Sequence, residues 1–316
     1  MAPSQEYAVV RRRVGFLDRG DFGVLELTGR DRASFLHALL SNEVKALGPG
    51  QGCAATLLDI HGKVQVVLFV WVADDRIFVV TPPAMAAKTA EALDHYLFSE
   101  KVAIEDVSRE KTLFVLAGPQ ARETSDRLMG KLGETPVRLV SGGGETGETG
   151  EAEVWIMCAL TDAAKVRDAL AGADVRSIGP EAFESLRIEA GTPLFGHDVD
   201  ESVLLPEIPL ERLASYTKGC YPGQEVVVRI RDRGHVNRRL TGLVLEGEVV
   251  PPHAAEVLAD GAAVGRVTSA TRSLGLGRPI ALAFVRREHA EPDRAVTVRV
   301  GEGAVPARVA ALPFAR

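Results

Sequence analysis

The octapeptide Lys218-Gly219-Cys220-Tyr221-Pro222-Gly223-Gln224-Glu225 is the densest run of reactive chemistry in the chain. Cys220 follows a glycine and stands two residues from Lys218, whose ammonium favours the thiolate, the form that attacks electrophiles and binds metals. If Pro222 opens a helix, Cys220 lies just ahead of its N-terminus, where the dipole acts in the same direction. Val226, Val227 and Val228 fit a strand equally well, and the dipole contribution is then absent. A buried, inert thiol is the plainer alternative, and the polar, glycine-rich neighbours argue against it.

A second candidate is Glu189. Pro180 suits a first helical turn, Phe183, Leu186 and Ala190 share one face, and the helix is expected to stop at Gly191 with Pro193 beyond it. Glu189 then falls in the last turn, where the macrodipole disfavours a carboxylate by several tenths of a kcal/mol. Such a group is either solvated on an exposed face or held by a dedicated donor. Arg187 is not the obvious donor, because residues at i and i+2 do not face each other on a helix.

Three further groupings carry charge. Arg229, Arg231, Arg233, His235, Arg238 and Arg239 form the strongest basic run, and if the segment is extended the first three share a face. They suit a ligand carboxylate, an RNA phosphate or an ordinary solvated surface. His197 with Asp198, Asp200 and Glu201 looks like a hard-cation cluster but lacks EF-hand spacing, so no metal is expected. His61 sits in an Asp59–Gly62 turn and reads as an exposed turn residue.

These residues hang on alternating helical and strand patterns. Strands are expected at 22–27, 53–58, 64–72, 76–80, 112–116, 137–140 and 153–160, from runs of apolar and β-branched residues. Helices are expected at 82–99, 118–132 and 161–170, with another opening at Asp31. Two successive helix-plus-antiparallel-strand units indicate an α+β chain rather than a parallel α/β sheet. The stretch 141–150 has no apolar residue and reads as a hairpin loop; its glycines lack the Lys-Ser/Thr of a phosphate cradle. Beyond Arg239 the texture changes to short strands at 240–245, 263–269, 280–285, 295–300 and 305–310, the pattern of a small antiparallel barrel. The expected division is residues 1–236 as two interwoven α+β lobes and 237–316 as the barrel.

The run KGCYPGQE is similar to the signature of the YgfZ family of folate-binding proteins, a branch of the glycine-cleavage T-protein superfamily. LRIEAGTPLFGHD, within 183–198, resembles the T-protein stretch that contacts the pterin, and 264–269, 280–285 and Leu312-Pro313-Phe314 resemble the C-terminal barrel. The resemblance implies a three-lobed, T-protein-like ring with folate near its centre. It implies tetrahydrofolate or a one-carbon derivative as cofactor, with Glu189 on the pterin and Arg187, Tyr221, Gly223, Gln224 and Arg229 around the ligand. Cys220, assisted by Lys218, becomes a reactive thiol or transient ligand in the assembly or repair of iron–sulfur clusters on client proteins. Where reactive T-proteins carry an Asp-Asp pair, the aligned residues here are Val66 and Val67. Valine cannot move a proton, which argues against aminomethyl transfer. A folate-dependent one-carbon transferase and a folate-independent RNA- or protein-binding module are the alternatives.

With 316 residues the chain can bury a sizeable core without staples. Its formal net charge of −6 argues against broad charge-driven nucleic-acid binding. The three cysteines are far apart, with no zinc or disulfide spacing. No signal peptide or membrane span is evident, and a cytoplasmic location and a monomer are the favoured readings.

Overall fold

A computed structural model describes residues 1–133, 135, 137–141, 147–209 and 211–314, with side chains at 138–141 and 211 excluded. Of the glycine loop expected at 141–150, residues 142–146 therefore lie outside the described residues.

The chain opens with a helix that the sequence reading did not include, α1 (Pro3–Arg12), followed by β1 (Gly15–Asp18) and β2 (Gly23–Thr28). Then come α2 (Arg32–Leu39), β3 (Gly52–Leu58), β4 (Val64–Val72), β5 (Ile77–Thr81), α3 (Ala86–Asp94) and β6 (Ala103–Asp106). A second run holds β7 (Lys111–Ala117), α4 (Ala121–Leu132), β8 (Val137–Ser141), β9 (Glu153–Ala159), α5 (Ala163–Gly172) and β10 (Arg176–Ser177). Two of the expected helices start later than their first prolines suggest. Pro82 precedes another proline and is steered out of helical geometry, so α3 waits until Ala86. Gly118 has φ +132°, so α4 begins only at Ala121.

Two five-stranded sheets result, with strand orders β3-β4-β5-β2-β6 and β10-β1-β7-β9-β8. The lobes are interwoven because β1 joins the second sheet while β2, four residues later, joins the first. Strand alternation sorts the side chains. Val70 and Val79 face α2 and α3, whereas Trp71, Phe78 and Val80 face the other sheet. On the second sheet Phe114 and Ile156 face α4 and α5, whereas Leu113, Val115, Trp155 and Met157 face inward. The sheets thus pack face to face between two helical layers. At their contact Trp155 meets Trp71 edge-on at 5.8 Å and Phe69 at 4.5 Å between ring centroids. Edge-to-face pairs add about 1 kcal/mol beyond their burial.

After α6 (Pro180–Glu189) and an irregular segment comes α7 (Gln224–Arg233). That helix resolves the open question over 226–228. Arg229 and Arg233 are i,i+4 neighbours, and Arg231 is turned away from them, bonded to Asp232 and over the Tyr216 ring. The extended-face arrangement of arginines does not form.

The chain closes with a six-stranded antiparallel barrel, in the order β11-β14-β13-β12-β15-β16. Its strands are β11 (Arg238–Leu245), β12 (Glu256–Ala259), β13 (Ala262–Arg272), β14 (Pro279–Arg286), β15 (Ala295–Val300) and β16 (Gly303–Ala310). The additional strand, β12, turns into β13 through Asp260 and Gly261, both at positive φ, the backbone of a tight hairpin. The molecule is therefore α+β with three lobes. No helix among the described residues is long and apolar enough to cross a membrane.

Candidate functional site

A cavity of about 320 Å³ lies where the two sheets meet the segment after α6, within the range of small-molecule sites. Each wall has a local cause. Val67 and Phe69 are alternate residues of β4 and face the cavity, while Val66, Leu68 and Val70 face the α2–α3 core. Arg19, Asp21 and Phe22 come from the short link between β1 and β2, the point where the chain passes from one sheet to the other. The helix-stopping Gly191 has φ +70°, and beyond it Thr192–His197 turns across the cavity. Glu148, Arg212 and Leu213 complete the polar and apolar ends.

The electrostatics are concentrated at one end. Arg19 is stacked against Phe22 and Phe183, with its guanidinium carbon 4.3 and 4.9 Å from their centroids, and donates to Glu148 at 3.1 Å. Its Nε is buried with no partner among the described residues, as is Thr192 Oγ1. Arg212 makes no hydrogen bond or ion pair through its guanidinium among the described residues. Burial pushes its pKa down, against the pull of Glu148 and Glu153. Glu153 is driven upward by burial first and by Glu148 second, although Thr149 and Trp155 donate to it. A ligand with both N–H donors and carboxylates would find partners here.

Of the residues singled out from sequence, Val67 and His197 line this cavity, whereas Glu189, Arg187, Arg229 and the octapeptide lie elsewhere. Glu189 is buried rather than exposed, and five donors surround its carboxylate. Oε2 accepts from Tyr7 at 2.6 Å and Arg11 at 2.7 Å; Oε1 accepts from Ser185 at 3.0 Å, Ser273 at 2.5 Å and the Gly275 amide at 3.1 Å. Burial would raise this carboxyl, but the bonds from Ser273, Tyr7 and Arg11 outweigh it and hold it below its usual range. The dedicated donor sought at the helix end is therefore α1, together with the β13–β14 connection. Arg187 is fully buried and joins α6 to the barrel through Asp198 at 2.8 Å and Ser269 at 2.7 Å.

The octapeptide forms a separate cluster at the base of α7. Cys220 is exposed. Lys218 is buried against the C-terminal end of α2, donating to the carbonyls of His37 and Leu40, with Nζ 5.0 Å from the Tyr221 centroid. Burial lowers its pKa to about 8, opposed by Glu43. Tyr221 is buried, and its hydroxyl has no partner among the described residues. Gly223 has φ +77° and precedes α7; a Cβ there would stand 2.4 Å from the Asp59 carbonyl. Gln224 is the first residue of α7, and Arg229 lies on its exposed side. His61 is exposed in its turn. Asp198 is committed to Arg187 and Thr268, and no group of three metal-ligand side chains forms among the described residues.

Arg19, Asp21, Glu148 and Arg212 are the cavity residues that sequence reasoning missed. Each is an isolated charge in a connecting segment. Their only local signal is the Arg-Gly-Asp-Phe turn between two strands, which does not reveal what the turn faces.

Two family models match the chain: the GCVT N-terminal domain over residues 2–218 and the glycine cleavage T-protein C-terminal barrel domain over 238–315. An aminomethyltransferase of Picosynechococcus sp. is 32% identical over 324 residues, covering 98% of this chain and 89% of its own. One from Thermosynechococcus vestitus is 31% identical over 322 residues, covering 99% and 87%. The crystal structure of glycine cleavage system aminomethyltransferase T from Bartonella henselae superposes with a TM-score of 0.87 at 20% identity, covering 99% of this chain and 89% of that one.

Proposed function

The chain belongs to the glycine-cleavage T-protein family, and from that premise we propose that it binds tetrahydrofolate, or a one-carbon derivative, in the cavity between its two sheets without performing aminomethyl transfer. The observation that carries this reading is the cavity's make-up. Phe22, Phe69, Val67 and Leu194 offer apolar walls for a flat bicyclic ring, and Asp21 and Glu148 offer acceptors for its N–H groups. Arg212 offers a guanidinium for a glutamate carboxylate, which a planar fork binds bidentately. The buried, unpaired Thr192 Oγ1 and Arg19 Nε are two more groups that a polar ligand would satisfy.

Val67 argues against group transfer. It aligns with one member of the acidic pair of reactive T-proteins, and its side chain faces the cavity while Val66 faces away. A valine there cannot relay a proton or stabilise a cationic one-carbon centre. The biological role that fits is the one implied by KGCYPGQE, the upkeep of iron–sulfur clusters on client proteins. The exposed Cys220 would serve as a reactive thiol or transient ligand without the expected help of Lys218, whose ammonium is committed to the His37 and Leu40 carbonyls.

A second reading, aminomethyl transfer, is favoured by the names of the relatives and by Asp21, a carboxylate in the cavity with no ion pair among the described residues. Calorimetric titration with tetrahydrofolate separates the possibilities. Binding that is weakened at least tenfold in Arg212→Ala, with no aminomethyl transfer in the presence of a loaded carrier protein, is the expected result. Turnover would favour the second reading, and absence of binding would remove both.

A further inference from the structure

The octapeptide cluster borders a surface that the cavity does not use. Gly223 packs against the 59–62 turn, and a Cβ built on Gly62 would meet the Val226 side chain at 3.3 Å, so α7 lays its Val226 face on that turn. Arg229 and Arg233 follow Val226 at i+3 and i+7, which puts them on the same face, and both are exposed. Ile60, at the tip of the turn, is 71% exposed. The exposed Cys220 stands three residues ahead of Gly223, so its Cα is within about 11 Å of the Gly223 Cα. An apolar tip, a basic stripe and a thiol therefore adjoin.

The stripe is not neutralised by its neighbours. Asp232 is bonded to Arg231 at 2.6 Å, and Asp59 accepts from the His61 and Lys63 amides at 2.9 Å. Arg229, Arg233 and Lys63 have no ion pair among the described residues, and Glu225 is the exposed carboxylate one turn ahead of Arg229. The local excess is positive although the chain carries −6 overall, and complementary charged patches are what steer two proteins together. A nucleic acid fits less well. The overall charge repels a long polyanion, and the exposed Tyr216 has its ring covered by Arg231 at 4.3 Å, which leaves that face closed to a base. Ile60 adds nothing to phosphate binding, whereas a protein interface buries such apolar anchors inside a polar rim.

We propose that this face docks an acidic protein surface, whose carboxylates meet the guanidinium forks of Arg229 and Arg233, whose apolar socket takes Ile60, and which is thereby set down beside Cys220. The inference deepens the client-protein reading above and rests on it for the role of the thiol. The surface itself follows from exposure and unpaired charge.

The probe is a fluorescein-labelled oligoaspartate peptide with a central leucine, followed by fluorescence anisotropy beside plain oligoaspartate and a labelled oligouridylate. The wild type is expected to bind the leucine-containing peptide about tenfold or more tightly than Arg229→Glu/Arg233→Glu does, with the advantage falling between about 50 and 200 mM salt as screened charge attraction requires. Ile60→Ser is expected to erase the preference for the leucine-containing peptide over plain oligoaspartate. Bound peptide should slow iodoacetamide labelling of Cys220 in the wild type. All three substituted positions are exposed, and unchanged melting temperatures confirm that the variants fold. No binding by the wild type, equal binding by the charge variant, or tighter binding of the oligouridylate would overturn the proposal. So would a leucine preference that survives in Ile60→Ser, or bound peptide that leaves Cys220 reacting at its free rate. The client reading is checked apart from the surface, by asking whether Cys220→Ser supports iron–sulfur enzymes in a deletion strain. Full support together with peptide binding removes the client reading and leaves the docking face standing; lost support without peptide binding does the reverse.

Discussion

Arg11 of α1 and Glu189 of α6 meet at 2.7 Å across 178 residues of sequence, and both side chains are nearly excluded from solvent. This contact ties the N-terminal helix to the helix that launches the cavity segment. Tyr7, Ser273 and Gly275 bind the same carboxylate, so one side chain holds α1, α6 and the barrel together.

Removing one partner of such a pair leaves a buried charge without compensation. Arg11→Ala should cost about 3 kcal/mol, measured by urea unfolding. The pH dependence has a fixed sign. The Glu189 carboxyl is depressed below its ordinary value of about 4.3, so the stability it adds is fully present above that value. It is lost as pH falls through the lower, folded pKa. The stability difference between wild type and Glu189→Gln should be constant from pH 7 to 5 and shrink toward zero on further acidification. A difference that does not change down to acid unfolding would contradict the assignment.

Arg187 and Asp198 form a fully buried pair. Arg187→Ala should lose about 3–5 kcal/mol, whereas Arg187→Met with Asp198→Leu should recover most of it, since a packed apolar pair often replaces a buried ion pair without loss. The double-mutant cycle in thermal unfolding checks this. Additive losses would mean that the two side chains act independently.

Within the octapeptide, two glycines should behave differently. Gly223→Ala places a methyl 2.4 Å from the Asp59 carbonyl in a left-handed backbone, which costs about 1–2 kcal/mol for the backbone alone. Gly219→Ala meets nothing closer than His37 Nε2 at 3.9 Å and should change stability by less than about 0.5 kcal/mol. Melting temperatures of the two variants give the comparison directly.

Lys218 has a folded pKa of about 8, below its ordinary value because it is buried. Between that value and about 10.4 the unfolded chain binds the extra proton, so this residue's contribution to stability rises with pH through the window. The melting temperature of the wild type relative to Lys218→Met should therefore increase from pH 7.5 to 10. A flat difference would place the titration elsewhere.

The three thiols should separate by access. Burial pushes Cys53 up to about 12 and Cys158 up to about 11, whereas Cys220 is exposed. Iodoacetamide at pH 8 is expected to label a single thiol of the native protein, and Cys220→Ser should abolish that reaction. Mass spectrometry of the labelled peptides settles it.

Much of the fold was legible because strand and helix periods are local. The apolar run 64–72 matches β4, and the Pro- and Gly-punctuated segments after 239 match the barrel strands. α1 was missed because PSQEYAVVRR has little apolar signal of its own. Its helix is held by contacts with α6, which local sequence does not encode. The helix at 224–233 was left open for the converse reason: β-branched Val226–Val228 suit a strand, while the turn at Gly223 and packing against the Leu205–Glu207 turn and the 59–62 turn favour a helix.

By itself the sequence determined the α+β class, the C-terminal barrel and the family resemblance, because each is written in residue type and short spacing, and it marked Glu189 and the cysteine octapeptide as candidates while leaving their surroundings open. Tertiary structure decided what those residues face. It turned Glu189 inward onto Arg11 and Tyr7, set the octapeptide apart from the cavity, and brought Arg19, Asp21, Glu148 and Arg212 from three connecting segments to one cavity. The physical reason is that β1 and β2, joined by a few residues, belong to different sheets. A site at such a crossing is assembled from long-range pairings and carries no local period.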